Sequence, residues 1–282
     1  MKLIDSIKSP SENVWKLIFE NNLQKTLEVS IIRKNDGKDI ICVPSQTSCN
    51  LGCKFCHLTG LDIKAENLSS PEITELVHQT LKFSPLETKT LLISYMGAGE
   101  PLMNVNGVIA SAKQIKQDFS NVQVRFGVAT LIPGKKPFLD FVNQIKENSL
   151  NFKLHWSLHS IKEETRRSLM PAANDIKESI NLLNFFMAET NLPVEIHYTL
   201  MDNLNDSKDD ADQIAKLINK KATIKLLRFS PHKNEPFLIE SKQTKEFKKM
   251  LENHRFNVEI YSPPGRDINA SCGQFILDQY SK

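Results

Sequence analysis

From Ile40 to Tyr261 the sequence alternates short apolar runs with stretches whose apolar residues recur at helical spacing. Strand-like runs stand at 40–43, 91–95, 122–129, 152–158, 194–200, 224–229 and 258–261. Between them, Ile73, Leu76, Val77 and Leu81 make one helical stripe, and Ile176, Ile180, Leu183 and Met187 another. Ser69 with Glu72 forms a capping box beside Pro71, and Ser207 caps a later helix. Such alternation demands parallel strands with crossover helices on the outside. The expected fold is α/β, a partial (β/α)6 barrel over 39–282. A β-hairpin extension over 1–38 precedes it, with a turn at Asp36-Gly37. In such sheets chemistry gathers at the carboxyl ends of the strands. The unusual residues fall there: a cysteine loop, Gly97-Ala98-Gly99-Glu100-Pro101, Ser157-Leu158-His159 and Ser230-Pro231.

The cysteine loop reads Cys49-Asn50-Leu51-Gly52-Cys53-Lys54-Phe55-Cys56. Thiols this close serve a metal or redox chemistry, because packing a core requires neither. Three ligands are one short of the four-cysteine cage of an iron–sulfur cluster, which would leave one iron open to a small molecule. The same letters admit two other readings. Cys53 to His57 spells the C-x-x-C-H haem-attachment signal, and Cys49, Cys53, Cys56 and His57 could form a Cys3His zinc site.

Composition narrows the setting. The 282 residues are 40% hydrophobic and 24% charged, ordinary for a globular protein. A formal charge of +3, with basic groups at Lys220, Lys221, Lys225, Arg228 and again at Lys242, Lys245, Lys248, Lys249, fits solvated helix faces or an anionic partner. The start lacks the apolar stretch of a signal peptide and no segment reaches transmembrane length. With an odd five cysteines, a cytoplasmic protein without membrane contact is expected.

Further motifs are Cys42-Val43-Pro44-Ser45-Gln46, Met96 to Leu102, Met201 to Asp206, and Asp267-Ile268-Asn269-Ala270-Ser271-Cys272-Gly273-Gln274. With the cysteine loop, they resemble the radical S-adenosylmethionine (SAM) RNA adenosine methyltransferases of the RlmN/Cfr type, from about residue 12 to about residue 276. The resemblance implies a radical-SAM barrel and a [4Fe–4S] cluster on Cys49, Cys53 and Cys56. Gly99, Glu100, Ser157, Leu158, His159 and Ser230 would bind SAM. Adenine C2 is electrophilic, so such enzymes first methylate a cysteine, here Cys272. A second SAM then supplies a radical that takes a hydrogen from the S-methyl group. Glu28 matches the base that removes the ring proton, its other reading being an exposed strand glutamate. Cys42 would release the product by forming a disulfide with Cys272.

The resemblance further implies an RNA substrate, rRNA or tRNA, methylated at C2 rather than C8. It also implies a reducing donor such as flavodoxin and a monomeric state. Two SAM-contacting positions depart from the pattern, with Gly127 for a serine and Ser230 for an asparagine, and the family's helical N-terminal accessory domain has no counterpart. The rival readings are the same two-cysteine chemistry on another substrate, or a silent RNA-binding remnant.

Overall fold

The computed structural model describes residues 1–34, 37–231 and 235–280. One ten-stranded sheet runs through it, with the strands side by side in chain order. Strands β1 (Lys2–Lys8), β2 (Val14–Glu20), β3 (Thr26–Lys34) and β4 (Lys38–Cys42) pair antiparallel with one another in turn. Strands β5 (Thr90–Tyr95), β6 (Gln123–Thr130), β7 (Phe152–Ser157), β8 (Val194–Thr199), β9 (Thr223–Leu227) and β10 (Asn257–Tyr261) continue from β4 in parallel. The crossovers are α1 (Ser70–Phe83), α2 (Val105–Asp118), α3 (Lys135–Glu147), α4 (Glu163–Leu169) with α5 (Ile176–Thr190), α6 (Lys208–Leu217) and α7 (Thr244–Asn253). Six β/α units and a final strand match the expected α/β order. Among the described residues no pairing joins β10 to β1, so the sheet stays open.

Two features differ from the expected extension. It contains a further edge strand, β1, whose charged, largely exposed residues show little apolar alternation. β4 also pairs antiparallel with β3 and parallel with β5, so the extension and the β/α part share one sheet. The turn expected at Asp36-Gly37 falls partly on Asp36, outside the described residues.

The pleat sorts side chains between two faces. Tyr95, Val128, Trp156, Tyr198 and Leu226 belong to the core cluster. Tyr95 donates to or accepts from Ser111 Oγ (2.9 Å) on α2, and Tyr198 stacks on Phe247 of α7 at 5.7 Å. The alternate residues, including Met96, Ser157, His197 and Thr199, line a cavity on the concave face. Helix α1 starts where the sequence marks it, with both halves of the Ser69/Glu72 capping box formed and Ile73, Leu76 and Val77 buried. Among the described residues no helix is long and apolar enough to cross a membrane.

After β10 the chain turns back across the antiparallel strands. Asp267 accepts from Ser9 Oγ (2.8 Å), Ala270 O accepts from Ser30 Oγ (3.2 Å), and Ile276 N donates to Glu28 Oε1 (2.6 Å). This return lays residues 267–276 over the open side of the sheet. It brings Cys272 to the cavity from the far end of the chain.

Candidate active site

The cavity lies at the carboxyl ends of the parallel strands. Its walls include Cys49, Cys53, Cys56, Gly99, Glu100, Ser157, His159, Ser230 and Cys272. The cysteine loop is tied down on three sides. Lys54 N donates to Leu169 O of α4 (2.9 Å), His57 N to Gly273 O (2.8 Å), and Phe55 meets His159 edge-on with ring centres 4.7 Å apart. Burial raises all three thiols, Cys56 to about 12, and for Cys53 the nearby Cys56 and Cys49 sulfurs add to it. The three half-buried sulfurs line one cavity, where a multi-iron cluster rather than a single ion would span them. Positive iron would supply the charge that makes them thiolates. The donor set therefore fits a cluster held by three cysteines.

The turn after β5 is packed backbone against backbone. A Cβ on Gly97 would stand 2.7 Å from Val43 C and Pro44 N, and one on Gly99 would stand 2.7 Å from Gln46 Cβ. Gly99 also has φ +101°, a conformation that favours glycine. Gln46 Oε1 accepts from Glu100 N (2.9 Å), locking this turn to the segment before the cysteines. Glu100 is buried and its carboxylate accepts from Leu102 N (3.0 Å) and Leu131 N (3.1 Å). Burial nevertheless pushes its pKa up to about 7, against those hydrogen bonds. The Thr130 side chain adds a further hydrogen bond, and the carboxyl group still borders the cavity, where a cationic ligand would meet it.

Ser157 and His159 line the cavity, whereas Leu158 is buried in the core cluster. His159 adopts φ +51° and is held by Thr199 N donating to its Nδ1 (3.0 Å) and by Asn205 Nδ2 donating to its carbonyl (2.6 Å). Burial pushes its pKa down to about 3, so the ring is neutral. Ser230 Oγ accepts from Arg266 Nε (3.1 Å). Gly127 lies deeper, where a Cβ would meet His155 Nε2 at 3.4 Å.

A second recess adjoins the first and includes Lys16, Glu28, Cys42, Tyr261 and Cys272 in its walls. Cys272 borders both spaces. Glu28 is buried, with Lys16 Nζ 2.7 Å from its Oε2, so the exposed-glutamate alternative does not hold. The Cys42 thiol is strongly raised, first by burial and then by the neighbouring Cys272, with Lys16 opposing. Burial also raises Cys272, although the residue as a whole is exposed. All five cysteines are unbridged. The structure thus gathers the expected site residues around two adjoining spaces, except that Leu158 turns away into the core.

Sequence reasoning missed the buried cations. Arg166, fully buried on α4, donates to the carbonyls of Leu158 (3.2 Å), Asn174 (2.6 Å), Leu131 (3.1 Å) and Ser157 (3.2 Å). It fastens the ends of β6 and β7 where the cavity begins. Its surroundings, Glu163-Glu164-Thr165-Arg166-Arg167, carry the pattern of a solvated helix, so nothing local marks it. Lys16 sits in an apolar-rich strand, and that misplaced charge was the available signal. Beneath the cavity the concave face carries Lys153 and His155 on β7, Glu195 and His197 on β8, and Lys225 on β9. Their alternation with core residues was legible in Lys153-Leu154-His155 and Glu195-Ile196-His197. Burial pushes His155 down to about 3 and also lowers His197, so both imidazoles are neutral.

No family model matches the chain. It is 30% identical over 280 residues to the dual-specificity RNA methyltransferase RlmN of Campylobacter hominis, covering 92% of this chain and 76% of that protein. It is 30% identical over 251 residues to the protein of the same name from Syntrophobacter fumaroxidans, covering 86% and 70%. Among solved structures, a radical SAM methyltransferase from Sphaerobacter thermophilus superposes with a TM-score of 0.86 at 23% identity, covering 98% of this chain and 81% of that one.

Proposed function

The chain belongs to the RlmN family of dual-specificity RNA methyltransferases, and on that premise we propose that it methylates a ring carbon of adenine in RNA, C2 in preference to C8, through Cys272. The observation that carries this reading is the position of Cys272. It forms the boundary between a cavity bearing three cysteines and a recess bearing Glu28 and Cys42.

A [4Fe–4S] cluster would be held by Cys49, Cys53 and Cys56, with SAM against Gly99, Glu100, Ser157, His159 and Ser230. When bound, these groups would supply the one-electron chemistry that a methyl carbon on sulfur needs before it can add to a ring carbon. The chain's own residues would do the rest. Cys272 holds the methyl group as a thioether where both spaces reach it. Glu28 takes the proton from the ring carbon, its place fixed by Lys16 and Ile276 N. The Cys42 thiolate attacks the Cys272 sulfur, so that an S–S bond forms as the S–C bond breaks; the electron pair passes to the product carbon, which takes up a proton to complete the methyl group. A dithiol reductant then returns both thiols. Lys16, which opposes the upward shift of Cys42, favours the attacking thiolate.

The working setting we propose is cytoplasmic, as a monomer acting on rRNA or tRNA and reduced by a flavodoxin-type donor. The antiparallel extension over 1–38 supplies the recess wall that carries Glu28. Anaerobic incubation of reconstituted protein with SAM, reductant and total RNA, followed by nucleoside mass spectrometry, tests the reading. It expects 2-methyladenosine above the level in untreated RNA. Cleavage of SAM without any methylated adenosine would overturn it.

A further inference from the structure

Three donor atoms converge on the concave face below the cavity. His155 Nδ1 is 3.0 Å from His197 Nε2 and 2.9 Å from Glu195 Oε2, and the last two atoms are 3.8 Å apart. All three residues are buried, and their ligand atoms lie within 4.8 Å of one another. Glu195 Oε2 has nitrogens close on several sides, yet none meets it in hydrogen-bond geometry. Both imidazoles turn ring nitrogens toward that same oxygen and toward each other. A contact between two ring nitrogens can carry at most one hydrogen bond, so the three atoms are held closer than their own hydrogen bonding explains, and Lys225 is the cation that now faces the oxygen.

From this convergence we infer that His155, Glu195 and His197 form a second metal site, separate from the cysteine loop, that takes a divalent first-row transition ion such as zinc. The spacing is the reason. An ion bonded at about 2.0–2.1 Å to three donors holds them about 3.0–3.4 Å apart, and the three edges of 2.9, 3.0 and 3.8 Å bracket that range. Two imidazoles and one carboxylate suit borderline ions such as zinc. His197 also lines the upper cavity, so the site borders the space where substrate would enter.

Two lysines now contact Glu195. Lys153 pairs with its outer oxygen, and Lys225 Nζ lies 2.8 Å from Oε2. They act as the competing cations. Lys225 must leave when the ion enters, and a second carboxylate already stands in reach, Glu259 at 3.9 Å and largely exposed. Lys153 is 41% exposed along its side chain and can turn to water.

The test uses the protein with its cysteine loop filled by a reconstituted cluster, equilibrated with zinc and freed of excess by gel filtration. One zinc per chain is expected, and absorption at the zinc edge should show a shell of nitrogen and oxygen with no sulfur. His155→Ala with His197→Ala should lose that zinc while keeping its iron, the check that the chain still folds. Lys225→Met should retain zinc and tighten its binding about tenfold or more, since it removes the competing cation. A zinc–sulfur shell, zinc retained by the double variant, or no tightening in Lys225→Met would each overturn the assignment.

Discussion

Arg166→Met removes a cation that no local sequence pattern reveals. The guanidinium serves four backbone carbonyls at 2.6–3.2 Å and lies over the Trp156 ring at 5.5 Å. Methionine keeps most of the volume and supplies no donor. Each buried carbonyl left without a partner costs about 1–3 kcal/mol. If water re-serves two of the four, about 2–6 kcal/mol of stability is lost, a large part of the roughly 5–15 kcal/mol that holds a typical domain. Urea unfolding of the cluster-free protein should show the unfolding free energy falling by that amount, with a correspondingly lower midpoint. The damage should reach the site as well, because Leu131 and Ser157 line the cavity. SAM affinity is expected to fall about tenfold or more. Arg166→Lys should recover part of the stability, since it returns the charge without the planar fork. A methionine variant within about 1 kcal/mol of the parent, binding SAM normally, would refute the assignment of Arg166 as the fastener of these strand ends.

Three further outcomes follow from the same geometry. Gly99→Ala must place a Cβ against Gln46 at positive φ, so SAM binding measured by calorimetry should weaken by tenfold or more, with about 1–2 kcal/mol of stability lost. Glu100 has a folded pKa of about 7 against 4.5 for the free group. The unfolded chain therefore gives up this proton first, and the SAM-free protein should lose about 3 kcal/mol as pH rises from about 4.5 to about 7, then level off. Glu100→Gln should abolish that slope in urea melts at pH 5 and pH 8. Glu28→Gln should leave Cys272 methylation intact by peptide mass spectrometry while slowing formation of methylated RNA by about a hundredfold or more.

Much of this architecture could be read from the chain because its signals are local. The Ser69/Glu72 box and the Ser207 cap set helix starts within a few residues, and the apolar runs at 91–95 and 194–200 became β5 and β8. The thiols of the cysteine loop need only their own spacing to reach one cavity. What escaped depends on distant pairing. β1 is an edge strand, exposed and charged, and its order comes from β2 and from Tyr280, whose hydroxyl bonds Asp5. Arg166 is buried only because carbonyls from two strand ends and a loop surround it. Glu28 could be read as exposed or catalytic until the return of residues 267–276 covered it with Ile276 and completed its recess. That return is a tertiary event, and neither propensity nor periodicity encodes it.

In the proposed reaction Cys42 and Cys272 act on one another across the second recess. The most direct measurement is denaturing gel analysis, with peptide mass spectrometry, of reconstituted Cys42→Ala protein incubated anaerobically with SAM, reductant and substrate RNA. Without Cys42 no thiol outside the cysteine loop remains to attack the Cys272 sulfur. A stable covalent protein–RNA species joined through Cys272 is expected, with the cluster and Cys272 methylation unaffected. Normal turnover to free methylated RNA in this variant, with no adduct, would contradict it.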